Sequence, residues 1–203
     1  MQSCIRDLLI ASIALLCVSC ATPMKQSEVE KIKTVGVINQ FPEYPNFVSV
    51  GTTIFNNDYD KIEDHQFHAY VSQVVLDYLK SKGLGAREIT DSAEAKNNVD
   101  LVLYLIPRDV YQVPETFGFG VNQRSFLGVL GPANTYVALN ISPYLHGERM
   151  GSAFYRENLS KLQIEQLPGK YSSLTVDQKK HVEGDLKKNI QESITELLKK
   201  VGL

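Results

Sequence analysis

Apolar and polar positions along the chain follow two different periods. Lys33-Thr34-Val35-Gly36-Val37-Ile38-Asn39 is short and β-branched and predicts a first strand, and Phe47 to Phe55, rich in Val, Thr and Ile, predicts a second. Pro42 and Pro45 enforce a loop between them, and Asn56-Asn57-Asp58-Tyr59-Asp60 reads as a turn cluster. The period then changes. Phe67, Val71, Val74, Val75, Tyr78 and Leu79 recur every three or four positions, which makes one face of a helix. Glu63 and Asp64 suit its first turn, Lys80 and Lys82 its last, and Gly83 can take the left-handed cap.

Leu84 to Ile89 is short and strand-like, and the polar stretch after it has room for one more helical turn. Val99 to Ile106 is almost continuously apolar, which suits a central strand covered on both faces. Thr135 to Ser142 alternates instead. Val137, Leu139 and Ile141 fall on one side and Tyr136, Ala138 and Asn140 on the other, which predicts one face less deeply buried. Turn residues from Tyr144 to Gly151 lead into Ser152 to Asn158, so this region reads as a long hairpin. A last helix opens at Thr175-Val176-Asp177-Gln178, a capping-box pattern. Its inward face is Val182, Leu186, Ile190, Ile194, Leu197, Leu198 and Val201, and Lys199 and Lys200 complement its C-terminal dipole.

These elements predict one α/β domain of the α+β kind over 33–203. The expected architecture is a single two-layer sandwich, a mixed sheet of five or six strands with two main amphipathic helices. Ordinary composition agrees, with 43% apolar and 22% charged residues in 203. A net charge of -2 gives no basis for a nucleic-acid partner.

One segment departs from that average. From Asp109 to Gly147 the only charged side chains are Asp109, Glu115 and Arg124, where the overall composition predicts about nine. Within it, 113–133 carries Gly118, Gly120, Gly128 and Gly131 among Phe and Leu residues and reads as an apolar connection. Such a long connection either packs back over the sheet or projects to meet a partner, lipid or ligand. Phe119, Phe126 and Leu127 are its expected contact residues.

The first twenty residues have their own logic. Positions 8–18 form an uncharged apolar run of 11 residues, of signal-peptide length and too short to span a bilayer. It ends in Cys17-Val18-Ser19-Cys20, which resembles the lipobox of bacterial lipoproteins, with Cys17 where that family usually has Leu. The resemblance implies cleavage before Cys20, a signal peptide over 1–19 and acylation of the Cys20 thiol, palmitate included. Ala21 after the cysteine implies sorting to the periplasmic face of an outer membrane. Cys4, Cys17 and Cys20 are the only cysteines, so the mature domain would lack an intramolecular disulfide. Residues 20–32 then read as the lipidated N-terminus and a tether reaching about 40 Å at most. Val35-Gly36-Val37-Ile38, followed by Val50-Gly51-Thr52-Thr53-Ile54-Phe55-Asn56, is similar to the start of an uncharacterised group of proteobacterial envelope lipoproteins. That resemblance brings no catalytic motif.

Candidate chemistry is sparse. Gly118-Phe119-Gly120 opens like a dinucleotide fingerprint, but Gln123 stands where the third Gly or Ala belongs. His65 and His68 beside Glu63 and Asp64 share one helical turn, yet a closed metal site needs about four ligands and no second cluster matches. His146 and His181 lack a nucleophile context, and Glu115 with Glu148 makes a carboxylate pair only if the fold brings them together. No metal, cofactor or catalytic residue is expected. The leading reading is a non-catalytic binding or assembly module, anchored to the membrane at Cys20, that holds an envelope protein partner by a sheet edge or the 113–133 segment. A carrier or sensor of an apolar small molecule under that segment is the second reading. An envelope hydrolase using His146 and Glu148 is the third.

Overall fold

The computed structural model describes residues 23–51, 57–64, 66–111, 113, 115–150 and 153–203. Cys20 and the lipobox, His65, and residues 52–55 of the expected second strand lie outside the described residues.

The protein is a mixed α+β domain, and its described residues form one curled sheet of nine strands with four helices. The strands are β1 (Thr34–Asn39), β2 (Asn46–Val50), β3 (Asn57–Lys61), β4 (Gly85–Glu88), β5 (Leu101–Pro107), β6 (Phe119–Phe126), β7 (Val129–Leu145), β8 (Glu148–Arg149) and β9 (Phe154–Lys161). The helices are α1 (Gln26–Val29), α2 (Gln66–Ser81), α3 (Ala93–Asn97) and α4 (Val176–Val201). Five or six strands was therefore too few. Asn57–Lys61 is a strand rather than a turn, Phe119–Phe126 is a strand rather than part of a connection, and β8 adds a two-residue pairing.

The long strand β7 organises the sheet. Along one edge it pairs first with β6, from Phe126↔Val129 to Phe119↔Val137, and then with β5, from Pro107↔Leu139 to Leu101↔Leu145. Along its other edge it pairs with β9. Parallel partners extend both halves: β2 beside β6, and β1 beside β5, with β4 beyond it. With 17 residues, β7 is roughly 50 Å long when extended, with the Leu127-Gly128 turn before it and the His146-Gly147 turn after it.

Both long helices form as their periodicity predicts. In α2, Phe67, Val71, Val74, Val75 and Leu79 are buried, and half-buried Tyr78 donates its hydroxyl to Leu203 O at 2.8 Å. Gly83 takes the left-handed conformation at φ 80°. In α4 all seven expected inward residues are buried, and Thr175 and Gln178 complete a reciprocal capping box. The two helices pack on each other, α2 also on β1 and β4, α4 on β6, β7 and β9.

The face of β7 expected to be shallow is covered. Tyr136 and Ala138 are fully buried in a small cluster with Val110, closed by the segment between β5 and β6. Asn46 donates to the Tyr136 hydroxyl at 2.9 Å, and burial raises the Tyr136 pKa against the pull of that hydrogen bond. Met24 and Ile32 also lie in the core, so chain read as tether packs on the domain from Met24 onward. Among the described residues no helix is long and apolar enough to cross a membrane.

Candidate functional site

The charge-poor segment folds mostly into the β6–β7 hairpin. Its base is held from within. Gln123 is buried and donates to Gly131 O at 2.9 Å and Glu165 O at 2.7 Å, while its Oε1 accepts the Leu167 N–H at 2.7 Å. One amide thus ties both strands to the chain that follows β9. Glycine is required at two places here. A Cβ on Gly120 would sit 2.1 Å from Asn46 O, and one on Gly131 would sit 2.7 Å from Arg124 O. The Gly118-Phe119-Gly120 pattern is therefore the entry of a strand laid tightly against β2, not a phosphate cradle.

Beyond Gln123 the register shifts, Ser125 pairs Leu130, Phe126 pairs Val129, and a two-residue turn closes at Leu127-Gly128. Both turn residues have positive φ, 50° and 81°, as a type I′ hairpin requires. Asn-Gly is the usual solution, because a side chain with a bulky Cβ substituent is strained there. Here the first position is Leu, and it is 78% exposed. Around it Phe126 is 66% exposed, Val129 71% and Leu130 42%. Phe126 and Val129 share one face of the ribbon, Leu130 lies on the other and Leu127 caps the turn, and the four together expose roughly 400 Å², within the size of the largest apolar patch on a typical monomer, which is often functional. Between residues 116 and 147 the only Asp, Glu, Lys or Arg is Arg124.

Phe119 does not belong to that surface. It is fully buried, with its ring 5.1 Å from Phe41 and 6.5 Å from Phe67, so the contact role expected of it falls to the core instead. Phe126 and Leu127 are exposed at the hairpin tip, beside Val129 and Leu130.

A second concavity of about 430 Å³ lies at the other end of β7, between α3, β5 and the β7–β8 turn. Tyr104 and Tyr144 meet edge to face at 5.1 Å on its wall. Asp91 accepts from Tyr104 at 2.7 Å and from Lys96 at 2.9 Å, bonds that hold its carboxyl below the usual range. Asp100 receives Lys33 N–H, Thr34 N–H and the Thr34 hydroxyl, all at 2.9 Å on one oxygen, and is likewise shifted down. His146 borders this cleft, but its described lining offers no Ser, Thr or Cys to act as a nucleophile.

The remaining candidates are dispersed. Glu148 follows the Leu145 end of β7 and Glu115 precedes β6, beyond the opposite end of β5, so roughly 20 Å of strand separates them. His68 Nδ1 lies 3.1 Å from Phe41 O, and His181 Nδ1 lies 2.9 Å from Asp177 O, which are local structural bonds. Among the described residues no three His, Cys, Asp or Glu side chains gather as a metal site.

No protein-family model and no curated protein matches the chain. Two solved structures are similar to the chain at low identity. The PelC dodecamer from Paraburkholderia phytofirmans is 10% identical, with 88% of this chain and 95% of that one covered at a TM-score of 0.38. A crystal structure of an uncharacterised protein is 13% identical, with 82% and 91% covered at a TM-score of 0.41.

Proposed function

We propose that this protein is an exported envelope lipoprotein, acylated at Cys20, that works as a non-catalytic binding or assembly module and holds an envelope protein partner with the tip of the β6–β7 hairpin. In this reading the two long helices form one layer against the sheet, and the sheet serves as a stiff mount for the tip. The observation that carries the proposal is the exposed apolar cluster of Phe126, Leu127, Val129 and Leu130 on a turn whose backbone disfavours Leu. Position supports it as well. Met24, where the described chain leaves toward Cys20, bonds to Val201 O at 3.0 Å at the opposite end of the molecule. The residues between Cys20 and Met24 reach only about 15 Å when extended. A bilayer holding the Cys20 acyl chains would therefore leave the tip projecting away from it. Convex and apolar, the tip suits a concave pocket on another protein.

The test is site-specific photo-crosslinking from position 127 in native membranes, read with and without Phe126→Asp. A discrete adduct that Phe126→Asp abolishes, with the melting temperature unchanged, supports the reading. The same adducts in both proteins refute it. Palmitate labelling of the wild type and of Cys20→Ser tests the anchor separately.

A further inference from the structure

Several chain ends converge on one pole of the molecule. Met24 joins Val201 at the end of α4, Tyr78 near the end of α2 joins Leu203, and Gly85 N–H reaches Lys33 O at 2.8 Å. Asp100 binds Lys33 and Thr34 through its carboxylate, and its own carbonyl accepts the His146 N–H at 3.1 Å, which brings the Leu145 end of β7 to the same place.

This pole is crowded with exposed cations. Lys25, Lys31 and Lys33 lie on the incoming segment, and Arg149 lies on β8. Lys80 and Lys82 finish α2, while Lys199 and Lys200 finish α4. The carboxylates around them are Glu28, Glu30 and Glu148, Asp77 in the last turns of α2, Glu196 in the last turns of α4, which is taken up by Arg156, and an Asp100 already occupied by three donors. In a chain of net charge -2, eight cations here face six carboxylates, two of which are already bonded, so the pole is net positive while the rest of the molecule is net negative. Helix dipoles account for the lysines that end α2 and α4. They do not account for Lys25, Lys31, Lys33 and Arg149, which sit on other elements around the point where the chain departs toward Cys20.

We infer that this basic pole seats on an anionic bilayer surface as a second membrane contact beside the acyl chains at Cys20. The inference rests on the anchored reading for the direction in which the pole faces. Clustered lysines supply an attraction to acidic headgroups that is salt-sensitive and independent of the acyl chains. Seated this way, the domain stands upright and presents its hairpin tip roughly 50 Å from the headgroups.

Sedimentation with vesicles tests this on the full chain carrying Cys20→Ser, which removes the acyl contribution. Two kinds of vesicle are compared, phosphatidylcholine alone and an equal mixture with phosphatidylglycerol. Binding to the mixture is expected to be at least about tenfold tighter, and added salt should abolish the difference as the screening length shrinks. The triple change Lys25→Glu, Lys31→Glu and Lys33→Glu should remove the preference. Lys161→Glu, Lys170→Glu and Lys180→Glu, an equal change of net charge away from the pole, should retain it. Equal binding to both vesicles, or equal loss in both triple variants, overturns the inference. The salt titration of the Cys20→Ser chain with its lysines intact decides the matter even if a triple variant fails to fold. Palmitate labelling of the unaltered protein is unaffected by either outcome, so a failure of the anchored reading is read independently.

Discussion

Replacing Leu127 by Asn should make the protein more stable. Leu127 has φ 50°, a conformation that costs an ordinary L residue roughly 1–2 kcal/mol and that Asn tolerates with a local side-chain hydrogen bond. Its side chain is 78% exposed, so little packing is lost by the change. The expected gain is about 1 kcal/mol, or about 2–4 °C in melting temperature for a domain of this size. Two controls isolate the cause. Leu127→Ala keeps a Cβ in the same backbone conformation and should change stability by less than about 0.5 kcal/mol. Gly128→Ala, at φ 81° and with nothing within 4 Å of the new Cβ, should lose about 1 kcal/mol from backbone strain alone. Urea unfolding followed by far-ultraviolet circular dichroism measures all three. If Asn fails to stabilise, Leu127 is making a structural contribution. If Ala stabilises as much as Asn, the backbone explanation is wrong and the exposed apolar side chain is the source of the cost. In the proposed function Leu127→Asn also weakens the crosslink from the tip, so stability and binding move in opposite directions.

Gln123→Leu should cost about 3 kcal/mol, because it strands the Leu167 N–H and two carbonyls that the amide now satisfies, and hydrogen exchange at Leu167 should rise with it. A protected Leu167 in the variant would show that the amide is replaceable. Gly120→Ala should abolish soluble expression or cost more than about 4 kcal/mol, since its Cβ would meet backbone at 2.1 Å, and a near-wild-type urea midpoint would refute the close β2–β6 approach. Asp100→Asn tests the anchoring of β1 through pH. Backbone N–H donors of Lys33 and Thr34, then the Thr34 hydroxyl, hold the folded carboxyl below its ordinary 3.8. The stabilisation is therefore complete above that value and lost as pH falls through the lower, folded one. Wild type should exceed Asp100→Asn in urea midpoint at neutral pH and converge with it in strong acid; a constant gap would mean the charge is irrelevant.

Much of the frame was legible because burial imposes a period. The seven inward positions of α4 and the Thr175–Gln178 box follow from spacing alone, as do the core positions of α2 and the central strand β5. Misreadings occur where a strand lacks the usual half-buried pattern. β3 is an edge strand of Asn, Asp, Tyr and Lys with no apolar alternation, and such polarity is what protects an edge from pairing with another chain. β6 was obscured by Gly118 and Gly120, which signal a loop in isolation but here allow close packing. Phe119 illustrates the limit for the site. An apolar residue in a charge-poor run has the same signature whether it is buried or exposed. Phe119 lies in the part of β6 up to Gln123 that is buried on both faces, and Phe126 lies beyond the register shift where the hairpin leaves the core.

The strand β7 carries its own control for the apolar tip. At one end Leu127-Gly128 joins Phe126 to Val129 with φ values of 50° and 81°, and at the other His146-Gly147 joins Leu145 to Glu148 with φ values of 49° and 85°. The two turns are nearly the same in backbone, and each places a non-glycine residue in a strained position ahead of a glycine. Their surroundings differ. The second turn is flanked by Glu148 and Arg149, an ordinary solvated hairpin end, while the first is ringed by Phe126, Val129 and Leu130. Turn geometry therefore does not demand apolar residues at the first site, and neither does the core, since those side chains are exposed. The exposed apolar side chains at the first turn thus answer no structural demand, and the proposed partner contact is the role that the photo-crosslinking from position 127 examines.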